Sequence, residues 1–532
     1  MNFCILLAVI VGCLYHVGLI LRPKAVLPDR PFRDDAFYAL TIARNFAIGN
    51  GFSTANGEIK TNGFQPLFVI ISSIPYFLTS DKFYAIRIIH LIHFLVHIMS
   101  GVLVFYLLSQ FSKSRVTPWI GFAFWIVSYN VLKLSSNGLE TGFYLLMILL
   151  SATFYFTRIL ERQSVFNYII FGTILGATTL TRIDAGFLCI AYGLHYVTYQ
   201  KFVMKRSFKY MFGPIVLWFG TWLIITSPWW IYNYHMTGSI MPTSGLVQTL
   251  HYTTGQFFPW KNILRNLNYS ITALLDQMSL FIVTPLRLIE NVPHFSTIWN
   301  ILRVIIVVAM IGFLFRKQNF ESSINKNILI RILFYPLFVL MLLLYYNFYF
   351  NAAWYLNRYT IPCIILFVLF WPLWLERQRP VWTILFLLIG ISLTLIIGGY
   401  SYNKVLAYTY RDHYSWVRDH VDENTWVAAR QSGTLGYFHN KTLNMDGKVN
   451  SDIYRIAPDK IGDYLASKDV QYYIEWETDP LFKDQNFLEN YEYLQKYGKC
   501  LIYKRKSMSR PAVLLESPVP DGLEFKYNGS VL

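Results

Sequence analysis

RPFRDDAFYALTIARNFAIGNG, residues 30–51, places two adjacent aspartates, Asp34 and Asp35, just beyond the first hydrophobic run of the chain. The residues after them are helix formers with apolar positions roughly on one face, and the pattern ends at a Gly-Asn-Gly turn. Acidic residues at a helix start commonly cap the helix or complement its dipole. A cap needs only one carboxylate, however, and adjacent helical residues point in different directions. The residues alone therefore leave open a structural and a chemical interpretation of this pair.

The composition is that of a membrane protein. With 532 residues, of which 55% are hydrophobic, 18% aromatic and 14% charged, the chain has more apolar surface than a soluble domain of this length buries. The net charge of +16 would suit nucleic acid, but much of the basic excess lies in short segments between apolar runs, where it controls membrane topology. The five cysteines are scattered and indicate neither a disulfide framework nor a zinc site. We therefore predict a polytopic membrane protein that binds no nucleic acid.

Eleven apolar runs are long enough to cross a bilayer as helices. They lie near residues 3–21, 84–110, 116–134, 139–158, 165–181, 183–199, 209–231, 297–316, 328–347, 357–375 and 381–400. The first run has no small-residue cleavage pattern, which predicts a retained transmembrane helix. A further run, 66–78, is short and contains Pro75, so we expect an interfacial or re-entrant helix there.

Basic residues set the orientation of this arrangement. With the N-terminus in the cytoplasm, every cytoplasmic loop is basic, including SKSR at 112–115 and KFVMKRSFK at 201–209. Counting 66–78 as a span would move these two loops outside. The outer side then holds the first loop at 22–83, the NGLE loop at 137–140, the long loop at 232–296 and everything after residue 400.

Residues 401–532 differ in character, because charge rises and spanning runs stop. Stretches such as TWVAAR, VQYYIEW and CLIYKRK are typical of short strands, whereas PDKIGDYLASK and DQNFLENYEYLQK are typical of helices. We therefore predict an α-helical transmembrane part, residues 1–400, and a C-terminal extracytoplasmic α/β domain, residues 401–532, which ends in a loose tail.

Three further charged residues lie at outer ends of predicted spans. Glu140, in SSNGLETGF, is a helix-start acid or a second carboxylate for the site that Asp34 and Asp35 begin. Arg182 and Asp184, in TLTRIDAGF, share a tight outer turn. An internal ion pair is at least as expected there as contact with a ligand.

Arg358, in NAAWYLNRYTIP, lies at the outer membrane boundary with Trp354 and Tyr355 beside it. One interpretation is an aromatic belt with a snorkelling arginine. The other is a phosphate site at the depth of lipid headgroups, because guanidinium groups bind phosphate bidentately. The Gly- and Asn-rich loop before the interfacial helix, with Asn62 and Gln65, is either a turn-rich connection or a functional loop.

Motifs for nucleotide or metal binding do not appear. The sequence has no GxGxxG, Walker A or HExxH pattern. His90, His93 and His97 share one helix face, but no carboxylate or cysteine nearby completes a metal site, which favours packing or interhelical hydrogen bonds. Whether a divalent metal is needed stays open, and no other cofactor is indicated.

Five segments together carry a family resemblance: DDAFYALTIARNFAIGNGFSTANGEIKTNGFQPLF, NGLETGFYLL, LTRIDAGF, WYLNRYTIP and VAARQSGTLGYFHNKTLNMDGKVNSD. On these segments the chain resembles the GT-C superfamily of integral-membrane glycosyltransferases. The likeness is to the bacterial branch near protein O-mannosyltransferases, aminoarabinose transferases and arabinofuranosyltransferases, and it is most specific in the first outer loop. It implies a polyprenyl-phosphate sugar donor, a glycolipid, cell-envelope polysaccharide or protein acceptor outside the cytoplasm, and a place in the plasma (inner) membrane.

The resemblance also implies residue roles. The acidic pair supplies the general base, Asp34 or Asp35, and Asp34 is favoured because relatives usually use the first acid. Glu140 matches a further acid, while Arg358 and Arg182 match donor-phosphate ligands. Substrate contacts are expected from Asn62, Gln65, Trp354, Tyr355 and Asp184. Several relatives have Lys-Gly where this chain has the Arg182 turn, so the role of that turn is open.

The residue types suit a single displacement that inverts the anomeric centre. A positioned carboxylate that takes the proton of the attacking hydroxyl contributes ~10²- to 10⁴-fold in rate. Two alternatives stay open: a flippase or transporter with an outer binding domain, and a polymerase or ligase that uses a diphosphate-linked donor. Transporters place ionisable residues near the bilayer midplane, whereas the acids here lie in outer loops, which favours an enzyme.

Overall fold

A computed structural model describes residues 1–28, 31–256, 259–278, 280, 330–351, 353, 355–403 and 411–506. The described chain up to residue 403 is mostly helical. Its helices are Asn2–Ile20, Asp34–Ala47, Pro66–Leu78, Lys82–Phe111, Thr117–Val127, Tyr129–Ser135, Thr141–Phe154, Val165–Thr181, Gly186–Thr198, Lys209–Thr237, Thr243–Leu246, Leu250–Thr254, Trp260–Met278, Phe334–Phe348, Leu356–Tyr359, Ile364–Leu375 and Pro380–Asn403. Shorter helical turns lie at Lys24–Val26, Ala55–Gly57, Tyr155–Ile159, Ile183–Ala185, Tyr199–Val203 and Ile361–Cys363.

The predicted run at 297–316 lies outside the described residues, and the other ten runs lie on helices. Within the described part, five helices are long and apolar enough to cross a membrane: Asn2–Ile20, Lys82–Phe111, Thr141–Ile159, Lys209–Thr237 and Ile330–Phe348. Pro66–Leu78 is among the shorter apolar helices, and it has the bounds expected of the interfacial helix. The count of eleven spans stays a prediction.

The long helices carry large apolar side chains on their outer faces. On the first helix, Phe3, Leu6 and Leu14 are more than half exposed, and on Lys209–Thr237 the same holds for Phe212. Apolar faces of this extent are stable against lipid rather than water. The chain is therefore a membrane protein.

The described chain after residue 411 forms a five-stranded sheet with helices, which we call the sheet unit (residues 411–506). The first loop holds a small antiparallel pair, β1 (Ser53–Thr54) and β2 (Ile59–Lys60), and the sheet unit holds β3 (Val427–Ala429), β4 (Thr442–Asn444), β5 (Tyr472–Trp476), β6 (Tyr491–Tyr497) and β7 (Cys500–Arg505). The strand order is β4-β3-β5-β7-β6, with β3 parallel to β4 and β5, and β7 antiparallel to β5 and β6. Its helices are Arg411–His420, Gly433–Phe438, Ile461–Ser467 and Gln485–Asn490, with turns at Ile453–Arg455, Pro458–Lys460 and Pro480–Lys483.

Most of the secondary structure predicted for this region is confirmed. The three predicted strands contain β3, β5 and β7, and PDKIGDYLASK contains the helix Ile461–Ser467. The prediction for DQNFLENYEYLQK is wrong in its second half, because the helix ends at Asn490 and β6 begins at Tyr491. There the backbone pairs with β7, Tyr493 opposite Tyr503, so that ladder hydrogen bonds and tyrosine packing outweigh the helical pattern.

The sheet unit packs on the first loop through the helix Gly433–Phe438. The Arg44 guanidinium donates to the Tyr437 carbonyl oxygen at 3.3 Å, and the Tyr76 and Tyr437 hydroxyls are 2.9 Å apart. Lys82 Nζ donates to the Phe438 carbonyl oxygen at 3.1 Å. These contacts hold the sheet unit beside the helix that Asp34 and Asp35 begin.

Candidate active site

Asp34 connects two parts of the chain. Its carboxylate is 2% exposed and accepts backbone N–H bonds from Gly433 at 3.0 Å and Thr434 at 2.7 Å. It therefore caps the helix Gly433–Phe438 of the sheet unit and not its own helix. Burial raises the pKa of Asp34 to about 6, although the two N–H groups act in the opposite direction. Both oxygens of Asp34 already accept hydrogen bonds from the protein, which disfavours Asp34 as the base; which of the two aspartates takes the proton stays a prediction.

Asp35 faces a cavity instead. Its side chain is 24% exposed, Oδ1 accepts a hydrogen bond from Lys448 Nζ at 3.0 Å, and Oδ2 lies 3.8 Å from the Arg358 guanidinium. Burial raises the pKa of Asp35, but the charges of Lys448 and Arg358 outweigh burial and hold the pKa below its usual value. Asp35 is thus an ionised carboxylate that a bound molecule can reach.

The cavity collects residues that are distant in sequence. The first outer loop, the ends of several predicted spans and the sheet unit all contribute to it. Its lining residues are Asp35, Tyr38, Ala39, Gly63, Phe64, Gln65, Phe68, Leu139, Glu140, Arg182, Ile183, Asp184, Met241, Pro242, Ser244, Gly245, Gln248, Tyr345, Tyr346, Phe350, Arg358, Tyr359 and Lys448. Of the predicted site residues, Asp35, Gln65, Glu140, Arg182, Asp184 and Arg358 meet here.

Glu140 holds two arginines in place. Its Oε1 accepts hydrogen bonds from Arg182 at 2.9 Å and from Arg358 at 2.8 Å, and its side chain is 5% exposed. Burial raises the pKa of Glu140, but the two guanidinium groups outweigh burial and keep the pKa below its usual value. Glu140 is therefore ionised and already paired, which suits positioning better than proton transfer. Arg358 keeps donor capacity, since its Nε has no hydrogen-bond partner among the described residues.

The turn at Arg182 is an internal ion pair. The Arg182 guanidinium donates to Asp184 through Nε at 3.1 Å and through one NH2 group at 2.8 Å, and it also donates to the Tyr346 hydroxyl. That hydroxyl donates in turn to Asp184 at 2.6 Å. With the bond to Glu140, every nitrogen of Arg182 has a protein acceptor. The ion pair that the sequence left open is therefore present, and Arg182 has little capacity left for a phosphate.

Lys448 is the site residue that the sequence did not single out. It lies in a turn of the sheet unit, where its N–H donates to Asp446 at 2.9 Å and its carbonyl oxygen accepts from the Thr243 hydroxyl at 2.8 Å. A Cβ on Gly63 would lie 1.7 Å from that same carbonyl oxygen, so only glycine allows this approach. The turn is thereby fixed against two loops of the helical part, and Lys448 Nζ bridges Asp35 and Asp446 at 3.0 and 3.1 Å.

The predicted substrate residues have different surroundings. Gln65 lines the cavity, whereas Asn62 is fully buried and bonds to Thr243 and Thr237, which ties the first loop to the segment after Lys209–Thr237. Tyr355 packs on the cavity residue Tyr359, with ring centroids 6.0 Å apart. Trp354 lies outside the described residues.

Metal ligands do not converge in this part of the molecule. Among the residues that the structure describes, no group of three His, Cys, Asp or Glu side chains is arranged to hold a metal ion. The carboxylates of the cavity face Arg182, Arg358 and Lys448 instead.

Solved structures share this architecture. ArnT from Cupriavidus metallidurans, bound to undecaprenyl phosphate, matches with a TM-score of 0.58 at 9% identity, over 95% of this chain and 98% of that chain. The same protein in the apo state matches with a TM-score of 0.56 at 10% identity, over 94% and 97%. An oligosaccharyltransferase from Archaeoglobus fulgidus, in complex with zinc and sulfate, gives a TM-score of 0.48 at 11% identity, over 92% and 73%.

Sequence comparisons add one match. Residues 403–514 match a family described as a domain of unknown function (DUF8728). No curated protein matches the chain. The structural likeness covers nearly the whole chain, and at this identity it shows a shared fold.

Proposed function

Because the chain has the fold of the GT-C membrane glycosyltransferases, we propose that it transfers a sugar from a polyprenyl-phosphate-linked donor to an acceptor outside the cytoplasm. The observation that carries this proposal is the cavity in which the partly open carboxylate of Asp35 lies beside Arg358 and Lys448. A base and a cationic phosphate site within a few ångströms are what this reaction needs.

Asp35 is the general base of the proposed reaction. The acceptor hydroxyl attacks the anomeric carbon as its proton passes to Asp35, and the bond from that carbon to the phosphate oxygen breaks. The electron pair leaves with the polyprenyl phosphate, so the products are a glycoside of inverted configuration, a phosphate monoester and a protonated Asp35. A carboxylate in this role contributes ~10²- to 10⁴-fold in rate.

Arg358 is the principal phosphate ligand of the proposal. The donor is a phosphodiester with one negative charge, and the departing phosphate monoester gains a second. Cations fixed beside the oxygen where charge develops stabilise the transition state more than the ground state. Arg358 is fixed by Glu140 and retains a free donor in Nε, which suits this task.

Glu140, Arg182 and Asp184 are positioning residues in this scheme. They form one buried hydrogen-bond network with Tyr346, and Glu140 of this network binds the guanidinium of Arg358. Gln65, which also lines the cavity, and Tyr359, on which Tyr355 packs, are left to contact the sugar or the acceptor. Sugar hydroxyls suit an amide and aromatic rings of this kind.

The location and acceptor follow from topology and chemistry. The predicted topology, with the basic loops in the cytoplasm, supports a place for the cavity and the sheet unit on the extracytoplasmic side of the plasma (inner) membrane. The acceptor is a glycolipid, a cell-envelope polysaccharide or a protein that reaches the cavity from that side.

The test is a transfer assay with purified protein. A panel of polyprenyl-phosphate sugars is incubated with membrane lipids and envelope glycans, and release of polyprenyl phosphate together with a labelled glycoside is measured. We expect turnover of at least one donor, with inverted configuration. Consumption of diphosphate-linked oligosaccharides alone would instead indicate a polymerase or ligase, and lipid movement without glycosyl transfer would indicate a flippase.

A further inference from the structure

Lys448 belongs to the sheet unit, yet its ammonium group lies in the cavity and donates a hydrogen bond to Asp35, the proposed base. We infer that Lys448 is a second ligand of the donor phosphate and that it moves from Asp35 to the phosphate when the donor binds. Donor binding would thereby release the base, so the enzyme becomes competent only after the donor is in place. This inference rests on the proposed function and adds a residue and an order of events to it.

Lys448 and Arg358 both reach the carboxylate of Asp35. Lys448 Nζ and the Arg358 guanidinium approach Asp35 through different oxygens, Oδ1 and Oδ2, at 3.0 and 3.8 Å. An anion beside Asp35 therefore meets both cations. The backbone of Lys448 is fixed by Thr243 and Gly63, whereas its side chain is a flexible four-carbon stem that ends in a compact charge. The ammonium group can change partner without movement of the turn.

Of the two cations, Lys448 is the one that can move. Arg358 is bound to Glu140 at 2.8 Å, and its planar group has little freedom. The second acid beside Lys448 is Asp446, at 3.1 Å, which lies in the same fixed turn and stays within reach of the ammonium group. Lys448 therefore keeps one anionic partner throughout and exchanges the other, Asp35, for the phosphate.

The hydrogen bond from Lys448 also affects the basicity of Asp35. A carboxylate that accepts a hydrogen bond from an ammonium ion is a weak base, because the cation stabilises its charged form. Asp35 must lose such a partner before it takes a proton efficiently. Competition by the donor phosphate for Lys448 supplies that loss at the moment when a base is needed, and two cations then face the phosphate as its charge grows.

The test measures binding of undecaprenyl phosphate to the full-length protein in detergent, with undecaprenol and inorganic phosphate as separate probes. The variants are Lys448→Met, Lys448→Arg and the matched control Lys468→Met, whose side chain lies on the surface of the sheet unit, 45% exposed and 3.9 Å from Asp452. We expect Lys448→Met to weaken binding about tenfold or more, Lys448→Arg to restore most of it and Lys468→Met to leave it unchanged. Undecaprenol and inorganic phosphate should bind weakly to all four proteins.

A double-mutant cycle with Asp35→Asn separates this role from a merely structural one. Removal of the competing carboxylate frees Lys448, so Asp35→Asn should tighten binding several-fold in the wild-type background and much less in the Lys448→Met background. Equal binding by wild type and Lys448→Met, or equal effects of Asp35→Asn in both backgrounds, would overturn the inference and leave the proposed function standing. Absence of binding to the wild type would overturn the proposed function itself.

Discussion

Substitution of Asp34 by alanine should loosen the contact between the sheet unit and the first loop. The wild-type carboxylate accepts two short N–H bonds, from Gly433 at 3.0 Å and Thr434 at 2.7 Å, and is almost fully buried. Alanine leaves both N–H groups without an acceptor at the start of a buried helix. The helix Gly433–Phe438 should then open locally more often than in the wild type.

The size of this effect follows from the two bonds. Hydrogen bonds to a charged group contribute ~1.5–3 kcal/mol each. Part of this is offset by the desolvation of the carboxylate, which is seen in its raised pKa of about 6. We therefore expect the lower end, about 3 kcal/mol, which corresponds to roughly 100-fold more local opening.

Hydrogen exchange followed by mass spectrometry measures this opening directly, on the peptide that contains residues 433 and 434. Asp484→Ala is the matched control, because Asp484 also accepts a backbone N–H bond, from Phe487, but caps its own helix, Gln485–Asn490. The control should loosen the start of Gln485–Asn490 and leave the 433–434 peptide unchanged. Unchanged protection of the 433–434 peptide in Asp34→Ala would refute the assignment of Asp34 as the link between the two parts.

Two further predictions concern Lys448 and Asp35. Gly63→Ala puts a Cβ 1.7 Å from the Lys448 carbonyl oxygen, so it should lower Tm by several degrees and weaken undecaprenyl phosphate binding. Gly193→Ala is the control and should do neither, because no heavy atom lies within 4 Å of its Cβ. Equal Tm values for the two variants would contradict the close approach of Gly63 to Lys448. In the donor-free protein Lys448 and Arg358 hold the pKa of Asp35 below its usual value. The acid limb of kcat/KM, which reports the free protein, should therefore lie at lower pH than the acid limb of kcat, which reports the donor-bound protein; coincident limbs in a pH–rate profile would show that Asp35 keeps its cations.

The helices were predictable because their signal is local. Long apolar runs, a proline in the short run 66–78 and turn residues between them place the helices within a few residues of where they lie. The error at Tyr491 has a physical cause, since strand pairing with β7 depends on a partner that no local pattern reveals.

The charged residues at the predicted membrane boundary were identifiable one by one, but their pairing was not. Glu140, Arg182 and Arg358 were singled out for their places at span ends, and they do meet in one cavity. That Asp34 is already hydrogen-bonded while Asp35 is open to the cavity depends on a contact with Gly433, nearly four hundred positions away, which no local pattern reveals. Lys448 carried no signal beyond the glycine before it, because only the docking of the sheet unit brings it to Asp35.

The most direct test of the account is the single-turnover rate of sugar transfer by Asp35→Asn. The amide has nearly the shape of the carboxylate but cannot accept the proton. We expect 433–434 protection to be retained and undecaprenyl phosphate binding to be at least as tight as in the wild type, while the transfer rate falls by ~10²-fold or more. A transfer rate within a few-fold of wild type, with binding and protection intact, would contradict the account.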